Sequence, residues 1–264
     1  MVFDVEHEVN VMKLTVKKFI FLFLFISLVL TSGFPAQSST MLPLPGRDAD
    51  LVWIESDGIR HEVFFTTLHD GKWSPPFQVT DDLFDNLHPV IDRDKEGKRW
   101  LFWTASDDGR LSLHYATFSD SEWSEIQDVP VELNSSIAPS VVVDGKGVLW
   151  LVWAGNTGGV DDIYWATLQK GKWSKARTLN QKDEVPDILP KISLTGNGTV
   201  HVVWKKFIDG SYQDIQSSWD GKKWSSPAVL KDEEMAEQDS LQNEKEMVLP
   251  VFIKDDDRAF VRLY

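Results

Sequence analysis

Asp162-Ile163-Tyr164-Trp165-Ala166-Thr167-Leu168-Gln169-Lys170-Gly171-Lys172-Trp173-Ser174 holds the pattern on which the architecture of the chain rests. A run with β-favouring aromatics leads into a glycine turn, and the turn leads into Trp-Ser. The same Trp-Ser recurs at Trp73, Trp123 and Trp224, so positions 73, 123, 173 and 224 are separated by steps of 50, 50 and 51. Trp53, Trp103, Trp153 and Trp204 keep the same beat, as do Pro89, Pro139 and Pro190. Three anchors in one register define an internal repeat.

Within one repeat, Pro139 opens a short apolar strand, Ser140 to Val143, and Asp144 to Gly147 reads as a turn. Val148 to Trp153 is a second strand, Ala154 to Gly159 a glycine-rich loop, and Asp162 to Thr167 a third strand. A fourth strand follows near Ala176 to Leu179. Continuous apolar runs suit strands buried on both faces, and alternation suits the outer ones. Four antiparallel strands in each unit predict an all-β chain, a β-propeller of four-stranded blades. The units lie near 40–80, 89–131, 139–180 and 190–230, with a partial fifth at 250–264. Pro250 stands as far before Tyr264 as Pro89 does before Trp103, so the last unit holds only its first two strands, Val251 to Ile253 and Ala259 to Leu263. Met41 to Leu44 aligns with the first strand of the first unit, although Pro43 and Pro45 suit a strand poorly. Either the ring closes with four or five blades, one of them short, or the chain is part of a longer propeller. Lys231 to Glu246 reads as a charged surface insertion.

The N-terminus has a different character. Lys13, Lys17 and Lys18 precede the apolar run Phe19 to Leu30, and small residues lead to Ala36-Gln37-Ser38. This is the pattern of a cleavable signal peptide over residues 1–38, with cleavage near Ser38 or Ala36. It predicts a secreted or periplasmic protein with no membrane span after cleavage. The absence of cysteine suits a bacterial exported protein and excludes disulfides, thiolate metal sites and a cysteine nucleophile. A net charge of -14 argues against nucleic acid as a partner, since that requires a basic face. No cofactor motif is present.

With the units laid out, the run from Asp162 to Leu179 and its counterparts resemble the sialidase-like (BNR-repeat) β-propeller superfamily. The likeness spans residues 45 to 264. The superfamily's Asp-box, Ser-x-Asp-x-Gly-x-x-Trp, survives in degraded form: Ser217, Gly221 and Trp224 fit its spacing, while Asp220 sits one place late. The resemblance implies a propeller and, in the catalytic members, three arginines on a substrate carboxylate with a tyrosine nucleophile. Neither the Phe-Arg-Ile-Pro motif nor that constellation is matched here.

The candidate ligand-binding residues lie where the repeat stops repeating. Arg60 and Arg110 share a register in the loop after the second strand and suit a carboxylate or sulfate. Phe207 and Tyr212 offer a stacking surface in the fourth unit. Asp81 and Asp85 stand in an acidic loop before the second unit, with Asp82, Asn86 and His88, and Asp183, Glu184 and Asp187 occupy the matching loop of the fourth. Solvated acidic loops account for both clusters, and their spacing matches no calcium loop. The expectation is a non-catalytic propeller that binds a glycan or another extracellular ligand. A sialidase-like glycoside hydrolase and a protein-interaction propeller are the alternatives.

Overall fold

The computed structural model describes residues 48–180 and 183–231, and the backbone of the strands at 248–253 and 257–263. The expected signal peptide, most of the charged insertion and the expected strand at Met41 to Leu44 lie outside these residues.

The described chain is built of β-strands. The first unit contains β1 (Ala49–Ser56), β2 (His61–His69), β3 (Lys72–Trp73) and β4 (Phe77–Gln78). The second contains β5 (Asp85–Arg93), β6 (Arg99–Asp107), β7 (Arg110–Ser119), β8 (Glu122–Trp123) and β9 (Gln127–Asp128). The third contains β10 (Ser135–Val143), β11 (Leu149–Asn156), β12 (Asp162–Gln169), β13 (Lys172–Trp173) and β14 (Arg177–Thr178). The fourth contains β15 (Asp187–Leu194), β16 (Val200–Ile208), β17 (Ser211–Ser218) and β18 (Ala228–Val229), and β19 (Val248–Ile253) and β20 (Asp257–Leu263) follow. Each unit forms its own antiparallel sheet, with strands in sequence order. The expected last pair of strands does form, but it does not stand as a separate fifth sheet. Instead β20 pairs with β1, which places it where β5, β10 and β15 stand in the other sheets.

The Trp-Ser signature is a two-point clamp. Ser124 donates its backbone N–H to the Thr117 carbonyl at 2.8 Å, and its Oγ accepts the Thr117 N–H at 3.0 Å. Ser74, Ser174 and Ser225 repeat the arrangement on Thr67, Thr167 and Ser218. The clamp holds the outer edge where the ladder breaks between β8 and β9, so serine supplies the acceptor that the missing strand pairing would have provided.

The prolines differ from expectation in place. They lie inside the inner strands, which begin at Asp85, Ser135 and Asp187. Each sits in a β-bulge, at Leu87/Val90, Ile137/Ser140 and Ile188/Lys191. The preceding residues His88, Ala138 and Leu189 take φ of 52°, 54° and 53°. A bulge leaves a residue out of the ladder, so the missing proline N–H costs no hydrogen bond there. Left-handed φ at three non-glycine residues is unusual, and its repetition makes it a feature of the architecture.

Three apolar cores lie between successive sheets. Val52, Val63 and Phe65 of the first sheet meet Ile91, Leu101 and Trp103 of the second. Phe102 and Tyr115 meet Leu151, Trp153 and Tyr164 of the third, and Val152, Ile163 and Trp165 meet Val202, Trp204 and Ile215 of the fourth. One further anchor recurs in the turns after the inner strands of the second and third units. Asp94 and Asp144 each accept two backbone N–H groups through Oδ1 and one indole N–H, from Trp100 and Trp150, through Oδ2.

Candidate functional site

Where second strands turn into third strands, the loops meet those that lead into the next sheet. Two of these joints are polar. Between the first and second sheets, Arg60 donates from its guanidinium to the Asp82 carbonyl at 2.7 Å. His61 meets Asp85 at 2.7 Å through Nδ1, and its backbone N–H reaches the same carboxylate oxygen. Beneath them Thr80 accepts the Val63 N–H and donates to Glu62 at 2.5 Å, and Asn86 donates to Asp82. Burial pushes the Glu62 carboxyl above its ordinary range, and the charges of Asp82, Asp81 and Asp57 add to the rise.

The joint between the third and fourth sheets repeats this plan with a cation. Asn180 accepts the Ile163 N–H and donates to Asp162 and Asp187. Lys206 bonds Asp187 at 2.9 Å and Asp183 at 2.8 Å, and the Trp204 indole donates to the other Asp187 oxygen at 2.5 Å. Burial raises the Asp187 carboxyl, and the hydrogen bond from Lys206 lowers that of the more open Asp183. Burial opposes the Lys206 ammonium, but its bonds to both aspartates outweigh this and raise it.

The sequence-predicted residues fall into separate groups. Arg60 and Asp85 belong to the first joint, and Asp81 is exposed beside it. Arg110 is exposed at the start of β7, opposite Asp107. Phe207 and Tyr212 come together on the fourth sheet. They are cross-strand partners, their rings meet at 5.3 Å and 71°, and they are 46% and 59% exposed. Beside them on the same face, Lys205 pairs with Asp214 at 2.7 Å. Among the described residues no group of three or more side chains able to hold a metal comes together.

Other arginines are committed to packing. Arg99 donates from Nε to both carboxylate oxygens of the buried Asp50 at 2.8 and 2.9 Å and from Nη2 to Thr67, Arg93 approaches Asp48, and Arg177 lies over Trp165. Ser112, His114 and Asp128 assemble without the geometry of a nucleophile relay. Ser112 Oγ and the Asp128 carboxylate both meet the same nitrogen, His114 Nε2, at 3.3 and 3.2 Å. A relay needs one partner on each ring nitrogen.

The sequence matches no protein-family model and no curated protein. Solved structures with a similar fold include a Hadza microbial sialidase, 14% identical with a TM-score of 0.45, covering 65% of this chain and 46% of that one. The GH93 alpha-L-arabinofuranosidase of Fusarium graminearum is 12% identical with a TM-score of 0.49, covering 68% and 62%. A fucose lectin from Kordia zhangzhouensis, solved with methyl-fucoside, is 18% identical with a TM-score of 0.37, covering 54% and 96%. The chain thus spans less than two thirds of the sialidase and of the arabinofuranosidase. At these identities the likeness is one of fold alone, and the chain itself shows successive antiparallel sheets of about four strands.

Proposed function

We propose that the chain is an exported, non-catalytic propeller that binds a glycan through the loop end of its fourth sheet. The observation that carries this reading is the exposed pair Phe207 and Tyr212, edge to face on one paired hairpin. Sugars present C–H faces that stack on aromatic rings, and cross-strand pairing holds the backbone that carries both rings. Arg60 and Arg110 stand at the equivalent turns of the first and second sheets, and an anionic ligand held there is the second reading. Export rests on the Lys13 to Ser38 pattern, and N-terminal sequencing of the protein recovered outside the cytoplasm should begin near Ser39.

A glycan array tests the function. The wild-type chain should bind a restricted set of glycans, and Phe207→Ala with Tyr212→Ala should abolish that binding while the fold is retained. An array with no binding refutes the reading and favours a protein partner. Release of free sugar from any array glycan refutes the non-catalytic part.

A further inference from the structure

Comparison of equivalent positions shows what is peculiar about the fourth sheet. The residue after each repeat tryptophan and its cross-strand partner form the pairs Ile54–Val63, Thr104–Leu113, Ala154–Ile163 and Lys205–Asp214. Directly opposed residues point to the same face of a sheet. Thr104 and Leu113 are 0% and 1% exposed, and Ala154 and Ile163 are 1% and 0%. These pairs, with the buried Val63, face the next sheet and help to build its contact. In the fourth sheet the same place holds an ion pair whose side chains are 42% and 25% exposed. The change continues along the face. His201 and Gln216, hydrogen-bonded at 3.1 Å, stand where the third sheet has Trp150 and Trp165. Next to the ion pair toward the hairpin come Phe207 and Tyr212.

This inference rests on the glycan-binding reading and names the ligand class. We propose that the site takes a neutral sugar. Its C–H face lies on Tyr212 and Phe207, and two adjacent hydroxyls bridge Lys205 and Asp214. The chemistry is complementary on both sides. Asp214 uses Oδ2 for Lys205 and keeps lone pairs to accept a hydroxyl proton, and Lys205 has two further N–H groups to donate. A vicinal diol supplies one donor and one acceptor at the required separation. Charge selects against the alternatives. The pair is already neutral, Asp209 stands at the hairpin turn, and the whole chain carries -14, so an anionic sugar gains no free cation here. An amino sugar meets the Lys205 ammonium. The assignment of a carboxylate or sulfate to Arg60 and Arg110 makes the opposite prediction.

The test is calorimetry with methyl galactoside, methyl fucoside, methyl glucoside and methyl mannoside against glucuronic acid and sialic acid. At least one neutral glycoside should bind, and both acids should bind at least tenfold more weakly. Hydrogen bonds to charged groups are individually strong, so Asp214→Asn should weaken neutral binding about tenfold or more. Lys205→Arg should keep most of it. Binding should vary less than about twofold with salt, since no net charge is neutralised. Acids that bind tighter than every neutral glycoside, or Asp214→Asn within twofold of wild type, overturn the assignment. If Asp214→Asn does not fold, Lys205→Gln is judged by the same tenfold criterion. Binding that needs Phe207 and Tyr212 but ignores Asp214 overturns only the diol assignment, whereas no glycan binding by the wild-type chain overturns both readings.

Discussion

The indole of Trp123 meets the ring of Phe65 edge to face, with centroids 5.2 Å apart and planes at 85°. Trp123 belongs to the second sheet and Phe65 to the first, so the contact crosses between sheets. Trp173 makes the equivalent crossing to Phe102 and Tyr115, and Trp224 to Trp150 and Trp165. The repeat interval is therefore set by a contact between neighbours: the second, third and fourth sheets each deliver one indole to an aromatic position on the sheet before.

Removal of one such indole should be felt as lost packing between two sheets. Trp123→Ala and Trp173→Ala should each lower stability by about 3 kcal/mol. A double-mutant cycle of Trp123→Ala with Phe65→Ala should return a coupling of about 1 kcal/mol, measured by chemical unfolding. Additive effects would mean that the rings do not support each other.

The serine clamp makes a smaller and more specific prediction. Ser124→Ala removes the acceptor for the Thr117 N–H but leaves the indole in place. It should cost about 1 kcal/mol, and Ser124→Thr, which keeps an Oγ, should cost less.

Glu62 gives a pH dependence with a definite sign. Its folded carboxyl is raised by burial, so the folded state holds the proton more tightly than the unfolded state does. Its contribution is therefore fully present below the ordinary glutamate value and is lost as pH rises through the raised one. Glu62→Gln keeps an acceptor for Thr80 and removes the ionisation. The variant should gain stability relative to wild type between pH 4 and pH 7, when unfolding midpoints are followed across that interval. A gap that narrows as pH rises would contradict the assignment.

Lys206 is the counterion of a buried carboxylate. Its removal as Lys206→Met leaves Asp187 and Asp183 without it, and breaking a buried pair on one side costs about 3 kcal/mol. Lys206→Met with Asp187→Asn should recover part of that loss, as read by thermal or chemical unfolding.

The tryptophan and proline series were legible in the sequence because they recur in one register, and a repeat acts as its own alignment. The inner strands begin a few residues before the prolines that the pattern suggests as their openers, because a bulge admits proline within the strand. The pairing of β20 with β1 was not legible, since the fifth unit's own register led toward a separate sheet. Phe207 and Tyr212 were legible because they break the repeat near a hairpin turn. Lys206, Asn180, Thr80 and Glu62 were not, because their partners come from loops of unequal length, Thr80 to Asn86 and Asn180 to Asp187, and only two of the three joints use them. Alternation along β16 places Lys205 on the same face as Phe207. That face could be recognised as peculiar only once the buried pairs Ala154–Ile163 and Thr104–Leu113 showed what the position normally holds.

The proposed binding lays a sugar face against Phe207 and Tyr212. Saturation-transfer difference NMR with the tightest glycan of the array measures this directly, by irradiating aromatic protein protons and reading transfer to sugar C–H protons. Strong transfer to one face of the ring is expected in the wild-type chain and is lost in Phe207→Ala with Tyr212→Ala. Transfer of equal strength in that variant would place the ligand elsewhere on the molecule and contradict the account.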